Sequence, residues 1–249
     1  MPSKNKQLVR YLGSRLTRLA GEKKSFFLLG PRQVGKTTLV RSLLASRKNI
    51  IEYTLQDPSV RIALEKDPSR IIRQARGHNG YPLIFIDEAQ KIPDIFDAAQ
   101  VLLDNHEASC IFTGSSARKL RRAGVNLLPG RILRLFLDPL LWGELGLIRR
   151  ASLGELALKN INPPGSYSFE DILIYGSLPL MVSLSPDERK EMLKSYAELY
   201  LEEEIRAEAI VRKIGAFSRF LELAASESGT APNLSKLSQE SGVSQPAIK

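Results

Sequence analysis

The chain is short of metal-binding and disulfide-forming residues, with one cysteine and two histidines in 249 residues. A single cysteine cannot close an internal disulfide, and with two histidines it cannot form the usual zinc cluster. These counts exclude disulfide-stapled secreted domains and zinc modules. Because Cys110 lies in an apolar run, we expect a buried and reduced thiol.

Long apolar runs are also missing. The richest stretch, residues 126–148, is interrupted by Arg131, Arg134, Asp138 and Glu144, so no segment predicts a membrane span. The N-terminus is basic but has no apolar core after it, which argues against a secretory signal. We therefore expect a cytoplasmic protein with no membrane partner.

Acidic residues are the minority among the charges, 27 Asp and Glu against 36 Lys and Arg, and the net charge is +9. The excess is concentrated in two segments. Residues 1–24 hold seven basic residues and one acidic residue, and residues 118–134 hold six basic residues and no acid. Such segments suit a polyanion such as DNA. A solvated basic face or a nucleotide site explains the same charge, because charge alone specifies no partner.

Short apolar segments alternate with helical patterns over the first 150 residues. The predicted strands are residues 26–29, 50–55, 83–86, 109–113 and 132–137. The predicted helices are residues 7–20, 35–46, 58–76 and 95–105. Almost wholly apolar strands that alternate with helices predict an α/β fold, with a parallel sheet covered on both faces. Beyond about residue 146 the pattern is mainly helical, over residues 170–175, 187–209 and 216–226.

Residues 30–37 match the P-loop pattern of Gly, four residues, Gly, Lys and Thr. Backbone N–H groups of such a loop, and the N-terminus of the helix after it, point at phosphate. We expect Lys36 to reach the β- and γ-phosphates of ATP and the Thr37 hydroxyl to bind Mg²⁺. The predicted nucleotide-binding residues are Gly30, Pro31, Arg32, Gln33, Val34, Gly35, Lys36, Thr37 and Thr38. The alternative is a glycine turn before a structural helix.

Asp87 and Glu88 follow the apolar strand 83–86, at the strand end where ligands bind in open α/β sheets. Asp87 is predicted to hold the Mg²⁺ shell, and Glu88 to orient or deprotonate a water in line with the γ-phosphate. The alternative is a helix cap with an acid in the first turn. The acidic pair favours ATP hydrolysis over a small-molecule kinase. The lack of an Asn-Lys-x-Asp element disfavours GTP.

Two further candidates follow the strand 109–113. A polar side chain at its end is expected to touch the γ-phosphate or the attacking water, with Ser115 the first choice and Thr113 the second. Turn chemistry is the alternative for these small residues. From the basic cluster that follows, Arg131 is the candidate arginine finger, acting in the same or a neighbouring subunit, and Arg118 is the second choice.

Residues 234–248 have the pattern of a helix-turn-helix, with a turn at Gly242 and Ser244 at the start of a second helix. The chain ends at Lys249, inside that second helix, so we expect a protein that continues beyond it. A complete motif of this kind predicts DNA as a partner. A helical hairpin used only for packing is the alternative.

Together these segments resemble the prokaryotic AAA-superfamily ATPases that carry a C-terminal domain of unknown function. The resemblance is carried, in order, by GPRQVGKTTL, LIFIDEAQKIP, FTGSSARKL, LPGRILRLFLDPLLWGEL, YGSLPLMV and YLEEEIR. It implies a sheet of the additional-strand type, in which the strand ending at Thr113 lies between those of the P-loop and Asp87. One departure is in residues 139–142, where a leucine replaces the usual small polar residue.

The expected organisation has four parts: an N-terminal amphipathic helix in residues 1–24, a P-loop ATPase core in 25–150, a helical region in 151–228 and a truncated helix-turn-helix in 229–249. The expected function is Mg²⁺-dependent ATP hydrolysis coupled to movement of the C-terminal domain, in a chain that is able to form oligomers. The alternative is a DNA-binding regulator in which bound ATP acts as a switch.

Overall fold

The computed structural model describes residues 8–115, 128–146, 167–200 and 214–248. The chain divides into two compact units, residues 1–184 and residues 185–249. The boundary expected between residues 150 and 151 lies outside the described residues. Each unit is therefore described by itself.

The first unit contains a five-stranded parallel sheet. Its strands are β1 (Ser25–Leu29), β2 (Ile50–Thr54), β3 (Leu83–Asp87), β4 (Ser109–Gly114) and β5 (Ile132–Phe136). Their order is β2-β3-β4-β1-β5, and every neighbouring pair is parallel. This confirms the predicted α/β fold and the predicted position of β4 between β1 and β3. All five carboxyl ends consequently lie at one edge of the sheet.

The helices of this unit are α1 (Tyr11–Gly21), α2 (Lys36–Leu44), α3 (Pro58–Lys66), α4 (Arg70–Arg76), α5 (Ile95–Asp104) and α6 (Phe169–Tyr175), with short 3-10 turns at Ala89–Lys91 and Pro179–Ser183. The helical stretch predicted over 58–76 is two helices. It breaks at Asp67, whose φ is −150°, because Pro68 lacks an N–H and disfavours helical backbone before it. Among the described residues, no helix combines the length and the apolar character that a membrane span needs.

Hydrophobic side chains cover both faces of the sheet. Along β1, Phe27 packs with the cluster that includes α5, whereas Phe26 packs with the cluster on the other face. This alternation follows from the strand period of two residues. Leu16 of α1 is fully buried in the second cluster, so the amphipathic N-terminal helix is part of the core. Cys110 is buried as expected, and burial raises the pKa of its thiol to about 12.

The second unit is helical where it is described. It contains α7 (Pro186–Ser195), a π-helical turn (Tyr196–Tyr200), α8 (Ile214–Ser226), α9 (Leu234–Ser241) and α10 (Gln245–Ile248). Asn233 caps α9 by accepting from two backbone N–H groups, and Gly242 ends it at φ 73°. A helix, a turn and a second helix therefore follow one another here. That this segment reads DNA stays a prediction.

Candidate nucleotide-binding site

The conformation of residues 30–35 accounts for both P-loop glycines. Gly30 has a φ of 153°, and a Cβ added to it would lie 2.2 Å from the backbone oxygen of Leu137. Gly35 has a φ of 90° at the cap position of α2. Only glycine adopts both conformations without strain, and no side chain fits beside Leu137. The loop therefore turns from β1 into α2 within six residues, with the first turn of α2 at the carboxyl edge of the sheet.

Lys36 lies inside this loop, with 5% of the residue exposed. Its Nζ donates to the backbone oxygens of Gly30 and Pro31, each at 2.8 Å. Burying an ammonium group is costly unless its protons are hydrogen-bonded. These contacts hold the positive charge within the cradle where the sequence predicts the phosphates.

Thr37 and Asp87 meet at the mouth of the loop. The Thr37 hydroxyl donates to Asp87 Oδ1 at 2.7 Å, although the two residues are 50 positions apart. They come together because α2 begins, and β3 ends, at the same edge of the sheet. Asp87 is only 2% exposed. The two residues predicted to hold Mg²⁺ thus lie side by side.

Thr113, at the end of β4, contacts both Asp87 and Glu88 and is fully buried. Its hydroxyl donates to Asp87 Oδ1 and accepts from the backbone N–H of Glu88 at 3.1 Å. The position of β4 beside β3 brings Thr113 within reach. Thr113 therefore fixes the end of β3 and orients the Asp87 carboxylate.

Glu88 has left-handed backbone, with φ 58° and ψ 43°, and it opens the turn Ala89–Lys91. A non-glycine residue in this region carries strain that the surrounding structure must offset. The turn sends the Glu88 carboxylate away from Asp87, to accept a hydrogen bond from Gln90 Nε2. The two acids therefore point to different partners, as their adjacent positions predict.

Gln90 is a site residue that sequence reasoning missed. Its Nε2 donates to the Glu88 carboxylate and, at 3.2 Å, to the Ser115 hydroxyl. Its Oε1 is buried, and no hydrogen-bond partner for it is found among the described residues. A buried acceptor of this kind calls for an explanation. The available signal was an amide residue two positions after the second acid.

The structure brings most of the predicted residues together but not all. Ser115 is linked to Glu88 through Gln90, and Thr113 contacts Asp87 and Glu88 directly. Arg131 directly precedes β5, whose first residue pairs with Ser25 at the start of β1. It therefore lies at the amino edge of the sheet, roughly 15 Å from the P-loop at about 3.3 Å per strand residue.

The Arg131 guanidinium is paired with Asp104 at the end of α5, with Nη2 3.1 Å from Oδ2. This pairing lowers the pKa of Asp104 and raises that of Arg131. The position of Arg131 therefore contradicts a finger role in its own subunit. The other predicted option, a finger that acts on a neighbouring subunit, stays a prediction. Arg118 lies outside the described residues.

The oxygens at the mouth of the loop fit Mg²⁺. A threonine hydroxyl and an aspartate carboxylate are hard donors, and Mg²⁺ is typically bound by one or two carboxylates together with waters and substrate phosphates. The described residues hold no group of three or more His, Cys, Asp or Glu side chains suited to a metal ion. Thr37 and Asp87 therefore suit an ion that takes its other ligands from a nucleotide and water.

A family model for the AAA domain matches residues 22–146. The chain belongs to the AAA domain family. A second model, for a domain of unknown function (DUF8612), matches residues 166–249. The AAA domain therefore contains the P-loop, Asp87, Glu88 and the whole sheet. The resemblance drawn from the sequence is confirmed in both parts.

Among curated proteins, this chain is similar to uncharacterized proteins of Mycobacterium bovis and Mycobacterium tuberculosis. Each is 34% identical over 127 residues, which cover 49% of this chain and 27% of the relative. The matched segment thus spans about a quarter of those relatives.

Among solved structures, the Walker-type ATPase PABY2304 of Pyrococcus abyssi matches with a TM-score of 0.49 and 17% identity, over 94% of this chain and 88% of that one. The Orc1 protein of Aeropyrum pernix, solved in complex with DNA, matches with a TM-score of 0.42 and 15% identity, over 59% of this chain and 50% of that one. Both TM-scores lie below 0.5, and membership of the family rests on the sequence match instead.

Proposed function

We propose that the AAA domain binds ATP with Mg²⁺ and hydrolyses it. The observation that carries the proposal is the 2.7 Å hydrogen bond from Thr37 to Asp87. It joins the hydroxyl that follows the P-loop lysine to the carboxylate at the end of β3. A glycine turn before a structural helix would give no reason for this meeting, or for a buried lysine inside the loop.

Binding is assigned to the loop and its lysine. Backbone N–H groups of residues 32–36 and the N-terminus of α2 supply donors for the phosphate oxygens. Lys36, already inside the loop, places its charge against the β- and γ-phosphates. Mg²⁺, when bound with the nucleotide at Thr37 and Asp87, would neutralise charge on the phosphate oxygens.

Hydrolysis is assigned to Glu88 as the general base. The water oxygen attacks the γ-phosphorus, and the bond from that phosphorus to the β–γ bridging oxygen breaks. ADP leaves with the bridging oxygen, and the proton of the water passes to the Glu88 carboxylate. Gln90 holds that carboxylate through its Nε2. Lys36 balances the charge that develops on the phosphates.

We further propose that hydrolysis drives movement of the C-terminal helical unit. The division of the chain at residues 184 and 185 supports this, because it gives the AAA domain a separate part to act on. Coupling of this kind requires that ATP and ADP bind with different affinities to two arrangements of the helical unit.

Turnover of MgATP is the direct test. Wild type and Thr37→Ala are compared for ATP hydrolysis across a Mg²⁺ titration, with Ser42→Ala as the control for an exposed hydroxyl on α2. We expect Thr37→Ala to raise the Mg²⁺ concentration needed for half-maximal turnover, and Ser42→Ala to leave it unchanged. Absence of ATP binding by the wild type would overturn the proposed function.

The second candidate is a regulator that binds DNA and uses ATP as a switch. It is favoured by the consecutive helices α9 and α10, joined through the left-handed Gly242. Turnover measured with and without duplex DNA, across a salt series, separates the candidates. Strongly salt-dependent DNA affinity that changes with bound nucleotide, at negligible turnover, would favour the regulator.

A further inference from the structure

The side chain of Arg10, the residue before α1, reaches the back of the P-loop. Its Nη1 donates to the backbone oxygen of Val34 at 2.7 Å, and its Nη2 donates to the backbone oxygen of Asp138 at 2.5 Å. A Cβ placed on Gly35 would lie 3.9 Å from the same Nη1. Arg10 is thus hydrogen-bonded to the phosphate loop, although 24 residues separate it from Val34.

Glu144 holds Arg10 in this position. Arg10 Nε lies 3.0 Å from Glu144 Oε2, and the side chains are 7% and 2% exposed. The Glu144 carboxylate also accepts from the backbone N–H groups of Tyr11 and Leu141, at 2.7 and 3.0 Å. The start of α1, the P-loop and the segment after β5 are therefore joined by one buried, hydrogen-bonded ion pair. Buried pairs with this many satisfied bonds fix geometry, and losing one partner leaves an unpaired charge.

The Val34–Gly35 peptide connects Arg10 to the phosphate side of the loop. This peptide is trans, so the Val34 carbonyl and the Gly35 N–H point in opposite directions. The carbonyl faces Arg10, and the N–H consequently faces the other side of the loop. A cation that binds a carbonyl polarises the amide and makes its N–H a stronger donor, as in hydrogen-bond chains. The effect is largest where little water has access, and these two side chains are 7% and 2% exposed.

We propose that Arg10 is a positioning residue of the nucleotide site, which orients and polarises the Val34–Gly35 peptide so that the Gly35 N–H binds a phosphate oxygen. The N-terminal helix is then part of the nucleotide site and not only of the core. This inference rests on the proposed ATP binding of the P-loop. It assigns to Arg10 a role distinct from the solvated basic face that its segment suggests from sequence.

Two substitutions with opposite charge effects test the proposal. Arg10→Met removes the cation and keeps the length of the side chain. Glu144→Gln removes the acid that neutralises Arg10 and keeps its size. ADP and ATP affinities are measured by titration calorimetry on the folded proteins, beside thermal melting. Arg76→Met is the matched control, because Arg76 has a similar contact, 2.9 Å to Glu107, at an exposed position.

We expect Arg10→Met to weaken ADP and ATP binding roughly tenfold, since a charge-assisted bond behind the loop is lost. Glu144→Gln should bind no more weakly than wild type, although both variants melt at lower temperature. A purely structural pair would weaken binding in parallel in the two variants, and that result would overturn the proposal. Wild-type affinity in folded Arg10→Met would overturn it too.

If Arg10→Met does not fold, the double variant Arg10→Met/Glu144→Gln takes its place, because it leaves no unpaired buried charge. We expect the same weakening of nucleotide binding in the double variant. Wild-type affinity there would again contradict the role of Arg10. Lys36→Ala separates this inference from the proposed function. If wild type binds nucleotide and Lys36→Ala does not, the P-loop assignment stands whatever Arg10→Met shows. If wild type does not bind, the proposed function fails first.

Discussion

The two edges of the parallel sheet hold their charged residues in different ways. At the carboxyl edge, Lys36 and Asp87 are 5% and 2% exposed, and backbone oxygens and threonine hydroxyls contact them. At the amino edge, Arg131 pairs with Asp104, and their side chains are 38% and 42% exposed. Lys36 and Asp87 are buried beside neutral polar groups, whereas Arg131 and Asp104 are opposite charges that pair in contact with water.

The difference in burial distinguishes charged residues that are candidates for ligand binding from ordinary surface ion pairs. Exposed ion pairs contribute little to stability, and they form wherever long charged side chains meet. Buried charges cost solvation free energy, and losing one partner of a buried pair typically costs about 3–5 kcal/mol. Buried and perturbed charges cluster at functional sites. The buried charges of the carboxyl edge are therefore the candidates for the nucleotide site, and the following substitutions test this assignment.

Lys36→Ala should have the largest effect. Alanine removes the ammonium group that would neutralise phosphate charge, and it leaves the centre of the loop without a side chain. We expect ATP affinity to fall by roughly 10²-fold or more, the size of a lost charge-assisted interaction in a buried site, and turnover to fall with it. Calorimetric titration with ATP and ADP measures this. Equal affinity in mutant and wild type would show that the loop is a structural turn.

Glu88→Gln should separate chemistry from binding. The substitution keeps the size of the side chain and removes the base, whereas Lys36, Thr37 and Asp87 remain to hold the nucleotide. Single-turnover hydrolysis should fall by roughly 10²-fold or more, with ATP affinity nearly unchanged.

Asp87→Asn is the adjacent comparison for Glu88→Gln. It should instead raise the Mg²⁺ concentration that the reaction needs, because Asp87 contacts Thr37 and Glu88 does not. A wild-type hydrolysis rate in Glu88→Gln would reduce Glu88 to a strained turn residue and favour the switch.

Gln90→Leu should have a smaller effect of the same kind. It removes the donor that holds the Glu88 carboxylate, while leaving Lys36 and Thr37 in place. We expect a loss of roughly tenfold in the hydrolysis rate and little change in ATP affinity, because the variant loses one hydrogen bond from a neutral amide to the ionised Glu88 carboxylate. Parallel losses in rate and affinity would instead indicate that Gln90 only supports the fold.

The sequence alone predicted those parts of the site that are formed by residues adjacent in the chain. Gly30, Gly35 and Lys36 form one continuous motif, and β1 and α2 flank it as its mechanism requires. The position of β4 between β1 and β3 followed from the resemblance and is confirmed. Helix boundaries were less certain, because local breakers such as Pro68 compete with a continuous helical pattern.

The sequence was insufficient where contacts join distant segments. Arg10 and Glu144 are 134 positions apart, and the fold alone brings them together behind the P-loop. A partial signal existed, because Glu144 is the single charged residue in 139–148 and such an acid needs a partner when buried. Arg131 shows the same limit. Its basic surroundings predicted a finger, and only the fold places it before β5, at the edge opposite the P-loop of its own subunit. A role in a neighbouring subunit stays a prediction.

Arg131→Ala should have the smallest effect in an isolated subunit, and it tests the amino edge. Its partner Asp104 is exposed, so water can solvate the carboxylate once the guanidinium is gone. The pairing lowers the pKa of Asp104, so its stabilising contribution is present at neutral pH and is lost as pH falls through that lowered pKa. The melting temperature at pH 7 should change by about 2 °C or less, and this small difference should vanish in acid.

The same variant distinguishes a surface residue from a finger that acts between subunits. ATP affinity and turnover are measured at low protein concentration and again at increasing concentration. A surface residue predicts equal rates for wild type and Arg131→Ala throughout. If the wild-type rate per subunit rises with concentration and that of Arg131→Ala does not, Arg131 acts on the γ-phosphate of a neighbour. The amino edge would then carry function after all, and exposure in one chain would not separate the two edges.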